Sequence, residues 1–140
     1  YTVSYSNNIN AGKATITVKG VGKYSGTQTA NFMIEAKSIA GCDTTEVEDR
    51  TYTGDAYTPS ITVTDGTKVL TNGVDYTLTY TNNKEPGTAS ILIQGTSNNY
   101  SGTKIVNFKI AAVAVKGLKA TNVKYSSLKL KWTKQGYADG

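Results

Sequence analysis

Histidine is absent from the chain, and cysteine occurs once, at position 42. Zinc sites, Ser-His-Asp triads and Cys-His pairs therefore cannot be assembled from these residues. A single thiol closes no intramolecular disulfide. Most enzyme classes are disfavoured on that ground, and the expectation is a protein without catalytic, cofactor-binding or metal-ligating residues. Cys42 has no histidine to activate it, which predicts a small half-buried side chain near a strand end rather than a reactive thiol. Arginine is nearly missing too, since Arg50 stands alone among 15 basic residues. Readers of nucleic acid rely on arginine for bidentate base contacts, so a net charge of +5 built from lysine predicts no nucleic-acid partner. Those lysines mostly alternate with apolar residues, as in Leu128-Lys129-Leu130-Lys131-Trp132. On a strand this puts Lys in water and Leu or Trp inside. No apolar run approaches membrane-span length, and no membrane insertion is expected. Helical stretches rich in Leu, Met and Ala are scarce as well. Tyr and Thr are abundant instead, with Gly at turn-like positions, the usage of short strands joined by tight turns.

What the chain does contain is a repeat. Tyr1-Thr2-Val3-Ser4-Tyr5-Ser6-Asn7-Asn8 matches Tyr76-Thr77-Leu78-Thr79-Tyr80-Thr81-Asn82-Asn83, and Tyr24-Ser25-Gly26-Thr27 matches Tyr100-Ser101-Gly102-Thr103. Between and beyond these blocks, Gly12, Ala14, Ile16 and Gly20 fall on Gly87, Ala89, Ile91 and Gly95, while Phe32 and Ile34 fall on Phe108 and Ile110. A spacing of roughly 75 residues is too long for a solenoid or propeller period and suits a small all-β domain used in tandem.

Alternation of apolar and polar residues predicts three half-buried strands in residues 1–34, around Val3, Ile16 and Phe32. The same reading gives Tyr76-Leu78-Tyr80, Ala89-Ile91-Ile93 and Val106-Phe108-Ile110 as inner-face residues of the second copy. Asp65-Gly66 and Asn72-Gly73 between apolar runs read as hairpin turns. Three segments follow: 1–35 as the rear of one repeat, 36–112 as a complete repeat, and 113–140 as the opening strands of a different module. Any targeting segment would lie upstream of Tyr1, and the last module is expected to continue past Gly140, because about 26 residues with one Trp cannot close a core.

Residues Thr51-Tyr52-Thr53-Gly54, Thr58-Pro59-Ser60-Ile61-Thr62-Val63, Gly73 through Asn83, Gly87-Thr88-Ala89 and Asn99-Tyr100-Ser101-Gly102-Thr103 together resemble the bacterial Ig-like repeats of large Gram-positive surface and secreted proteins. Gly117-Leu118-Lys119-Ala120, Leu128 through Trp132 and Ala138-Asp139-Gly140 look like the start of a fibronectin type III domain, in which the Trp is a core residue of the second strand. The resemblance implies Ig-like β-sandwich repeats and a non-catalytic structural role, spacing a terminal activity from a bacterial cell wall. Its alternatives are an adhesive or carbohydrate-binding module, and an accessory domain of a secreted hydrolase. The partners it implies are neighbouring domains, cell-wall or host glycans or surface proteins, and other copies of the chain through strand addition.

Several residues invite a site. Tyr1, Tyr5, Tyr76 and Tyr80 share parity with core residues, which predicts buried rings with hydroxyls at the rim. Tyr24 and Tyr100, beside Ser-Gly turns, are expected to lock a corner. Tyr52 and Tyr57 lie in a less periodic stretch and are the candidate ligand-contact aromatics. Glu46, Glu48, Asp49 and Asp55 form an acidic stretch, but their spacing matches no calcium loop and reads as a solvated strand edge. Lys37 and Asn107 are the obvious pair for an intramolecular amide bond, and the outward parity of Asn107 argues against it.

Overall fold

A computed structural model describes residues 1–133. The expectation resting on Ala138-Asp139-Gly140 falls outside the described residues. Strands β1 (Thr2–Ser6), β2 (Gly12–Lys19) and β3 (Thr27–Ile34) form a three-stranded antiparallel sheet in that order. Val3 sits opposite Val18, Tyr5 opposite Ile16 and Ala14 opposite Phe32. Paired residues share a face, so all six side chains lie on one side of the sheet.

The second repeat opens with β4 (Lys37–Ser38), a 3₁₀ turn at Ile39–Gly41, β5 (Asp43–Thr44) and β6 (Arg50–Thr51). It continues through β7 (Val63–Asp65), β8 (Lys68–Val69), β9 (Tyr76–Thr81), β10 (Gly87–Gly95), β11 (Tyr100–Ser101) and β12 (Thr103–Ala111). One sheet has the order β6-β12-β10-β9, a second pairs β11 with β4, and a third runs β5-β7-β8. The pairs β11–β4 and β12–β6 are parallel. β13 (Lys116–Lys124) and β14 (Ser127–Thr133) make a separate antiparallel hairpin. The architecture is all-β and sandwich-like, with no α-helix among the described residues.

The two copies repeat in backbone detail. Asn7 and Asn82 both take a positive φ, 56° and 53°. The Gly20 N–H donates to the Gly26 carbonyl at 2.9 Å, and the Gly95 N–H to the Gly102 carbonyl at 3.0 Å. A Cβ on Gly20 would lie 2.9 Å from the Tyr24 carbonyl carbon, and one on Gly95 would lie 2.8 Å from that of Tyr100. That close approach of backbone to backbone is why both copies keep glycine there. On the polar face the Thr15 hydroxyl donates to Asn31 Oδ1, and the Ser90 hydroxyl to Asn107 Oδ1, each at 2.8 Å.

Two compact units alternate along the described residues: 1–45, 61–79 and 92–105 belong to one, and 46–60, 80–91 and 106–133 to the other. The core of the first holds Ile39, Cys42, Val63, Leu70, Tyr76 and Ile93. That of the second holds Ala89, Ile91, Phe108 and Ile110. Each large aliphatic or aromatic side chain fully withdrawn from water contributes about 1.5–3 kcal/mol, which makes these positions the main source of stability.

Four expectations need correction. Tyr1 and Tyr5 are exposed although their parity is right, because their face of the first sheet is open over Val3, Val18 and Phe32 even though Ala14 on it is buried, and Tyr24 is exposed rather than locking a corner. Trp132 is exposed for the same reason, since it sits on a two-stranded hairpin without a packed layer. Cys42 is fully buried rather than half-buried, at the end of the 3₁₀ turn. Asn72-Gly73 is a capped loop rather than a two-stranded hairpin. The Asp75 carboxylate takes the Thr71 N–H at 2.9 Å, and the Asp75 N–H donates back to the Thr71 carbonyl at 2.8 Å, tying the loop before β9 begins. Asp65-Gly66 does make the expected hairpin, with Asp65 opposite Lys68 and Gly66 supplying the positive φ of 58° at the first corner.

Candidate functional site

The densest polar constellation lies where the first repeat hands over to the second. Asn99, one residue before β11, is its centre. Its Oδ1 accepts the Ala11 N–H at 2.7 Å, its Nδ2 donates to Asn10 Oδ1 at 2.9 Å, and its main-chain carbonyl accepts the Lys37 N–H at 2.8 Å. One residue thus grips the loop between β1 and β2 and also the first strand of the next repeat. The parallel pairing of Tyr100 with Lys37 extends that grip by one rung.

Beside it runs a chain of charges. The Lys37 ammonium donates to Asp65 Oδ1, and the Tyr100 hydroxyl donates to Asp65 Oδ2 at 3.0 Å. The Lys68 ammonium stands 5.0 Å from the centre of the Tyr100 ring, within cation–π range. Its hydrogen bond to Asp65 raises the pKa of Lys37. The bonds from Lys37 and Tyr100 lower that of Asp65. Burial, and then the bond to Asp65, raises that of Tyr100. Asn10, Ala11, Lys37, Asp65, Asn99 and Tyr100 contribute to the walls of an open cleft of about 300 Å³ here.

The chemistry of this cleft is that of a fastening. Lys37 and Asp65 are held in their charged forms by one another, so neither is poised to exchange a proton near neutrality. The Cys42 thiol is pushed up by burial, away from the reactive thiolate, and its carbonyl accepts the Lys104 ammonium.

The sequence-predicted aromatics lie elsewhere. Tyr57 is half-buried and held three ways: its hydroxyl donates to the Thr51 carbonyl at 2.6 Å, its N–H to the Asn83 carbonyl at 2.7 Å, and its carbonyl accepts Asn83 Nδ2 at 2.8 Å. Tyr52 is also half-buried, and its N–H donates to the Ala111 carbonyl at 2.9 Å. The acidic stretch is dispersed. Asp49 accepts the Lys109 N–H at 2.8 Å, Glu48 lies 3.8 Å from Arg50, and no group of three His, Cys, Asp or Glu side chains among the described residues is placed to hold a metal ion. Asn107 bonds to Ser90 and Lys37 to Asp65, so the two candidates for an amide bond have separate partners.

Sequence reasoning missed Asn99 and Asp65. No repeat signal marked Asn99, because the stretch between Gly95 and Tyr100 differs from that between Gly20 and Tyr24 in sequence and in length. The fold is all-β and sandwich-like, and its polar cleft centres on Asn99 and Asp65. Comparison of the chain with protein-family models, with curated proteins and with solved structures finds no match.

Proposed function

We propose that this chain is a non-catalytic spacer, or stalk, segment of a bacterial cell-surface or secreted multidomain protein, built from Ig-like repeats and followed by the start of a fibronectin type III module. The observation that carries this reading is the Asn99 joint, where a single side chain accepts the Ala11 N–H and donates to the Asn10 side-chain amide oxygen while its main-chain carbonyl receives the Lys37 N–H. A spacer has to pass direction from one module to the next, and a joint fastened by side-chain and main-chain bonds does this better than a bare linker. The mutual engagement of Lys37, Asp65 and Tyr100 supports the same reading, because those groups serve the joint rather than a substrate.

The test is a binding screen of the whole chain against a glycan array and cell-wall polysaccharide, with Tyr52→Ala and Tyr57→Ala as controls whose folding is checked by circular dichroism. No saturable binding is expected. Reproducible binding lost in either folded variant would overturn the spacer reading in favour of a carbohydrate-binding module.

A further inference from the structure

Three tyrosines of the second repeat hand their hydroxyls to one short segment. Tyr80 donates to the Pro59 carbonyl at 2.8 Å, Tyr76 to the Ile61 carbonyl at 3.3 Å, and Tyr100 to the Asp65 carboxylate at 3.0 Å. The segment running from Pro59 to Asp65 thus presents two carbonyls and a carboxylate at positions i, i+2 and i+6, and Lys68 adds a cation over the Tyr100 ring. With Ile61 and Val63 buried and these bonds made, Tyr76 and Tyr100 keep only 3% and 5% of their surface.

The counterparts in the first repeat are Tyr5, Tyr1 and Tyr24, by the alignment of Tyr80, Tyr76 and Tyr100. These are 57%, 81% and 78% exposed. Phe32 is 39% exposed where its counterpart Phe108 is 2%. A groove of about 540 Å³ opens between Tyr1, Val18, Tyr24 and Gln28. The strand order and the turns are already those of the second copy, so the difference is the missing layer and not the strands beneath it.

We propose that the apolar face of the β1–β2–β3 sheet is a docking surface for a polypeptide segment of the kind formed by residues 37–75, seated on Tyr1, Tyr5 and Tyr24 as that segment is seated on Tyr76, Tyr80 and Tyr100. The occupant is specified by chemistry. It is an extended polypeptide with small β-branched residues facing the sheet, main-chain carbonyls for the Tyr5 and Tyr1 hydroxyls, and an Asp carboxylate with a nearby Lys for Tyr24. An apolar sheet face of this kind, with aromatic hydroxyls at its rim, gains most from a partner that buries the rings and accepts the hydroxyl protons together. This inference rests on the internal repeat and is independent of the spacer reading.

The experiment compares the whole chain with the same chain carrying an additional copy of residues 36–75 fused ahead of Tyr1. Tetranitromethane nitration, mapped by peptide mass, reports which tyrosine rings are open. In the original chain Tyr1, Tyr5 and Tyr24 are expected to be nitrated while Tyr76 and Tyr100 are spared. In the extended chain Tyr1 and Tyr24 should be spared as well, and Phe32→Asp should restore their nitration. A synthetic peptide of residues 36–75 added to the original chain should bind saturably, and Tyr24→Phe should weaken that binding about tenfold, as loss of a hydrogen bond to a carboxylate predicts. Unchanged nitration of Tyr1 and Tyr24 in the extended chain overturns the proposal. So does their protection in the original chain through a concentration-dependent dimer, which would make a second copy the occupant, or through an added glycan.

Discussion

Asp65 joins two side chains that lie far apart in sequence, Lys37 and Tyr100, and its ionisation has a direction that can be checked. Its pKa is lowered in the folded chain, so the stability it contributes is present above the usual carboxylate range near 3.9 and is lost as pH falls through the folded value. Lys37 works with the opposite sign. Its pKa is raised, so its contribution is complete below about 10.4 and disappears as pH rises through the folded value. Tyr100, raised by burial, adds to the alkaline loss. The melting temperature of the chain is therefore expected to fall at both ends of the pH range. Asp65→Asn should flatten the acid limb, whereas Lys37→Met should soften the alkaline limb without abolishing it, because Tyr100 still titrates. An acid limb unchanged by Asp65→Asn would show that other carboxylates govern it. Lys37 is exposed and Asp65 only half-buried, so the effect on the neutral plateau should be small.

At the scale of elements, the same residue type in the same sheet position has two environments. Phe108→Ala empties a closed core and is expected to cost about 3–5 kcal/mol, while Phe32→Ala on the uncovered copy should cost much less, as urea unfolding followed by tyrosine fluorescence would measure. Equal losses would mean that the first sheet is covered in solution.

That contrast also marks what was legible in the sequence. Period-two alternation located β1, β2, β3, β9, β10 and β12 and assigned their inward faces, because parity is a local property of a strand. Whether a face is covered depends on a second layer, which no local pattern encodes, and so Tyr1, Tyr5 and Trp132, expected inside, stand outside, and Tyr24, expected to lock a corner, is exposed. The loop at Asn72-Gly73 followed from its composition, but its capped form depends on Asp75 reaching back to Thr71. Of the joint, Tyr100 is legible as a corner residue and Asp65 as a turn residue, but not their bond to one another, and Lys37 is weighed only against Asn107, a pairing that parity disfavours. Asn99 and Asp65 act through contacts 88 and 28 residues away, at Ala11 and Lys37.

Across the whole molecule, protection should follow burial. Amide hydrogen exchange is expected to be slowest in the centre of β10, where Ala89, Ile91 and Ile93 are fully buried. It should be fastest in β1 and in the β13–β14 hairpin, whose apolar side chains face water. Mass-resolved exchange would check the order, and a protected β13–β14 would contradict it.

Strand direction adds a mechanical consequence. In the second repeat the entry strand β4 runs parallel to β11, and β6 runs parallel to the exit strand β12. Tension applied between residues 37 and 111 pulls each such pair in opposite senses along its own length, so rungs such as Tyr52 N–H to the Ala111 carbonyl share the load and must shear together. The β13–β14 hairpin, with Lys116 opposite Thr133 at its open end, is loaded crosswise and parts one rung at a time. Under a steady pull the hairpin opens first, and the repeat behind it holds its length until its parallel latches break at once.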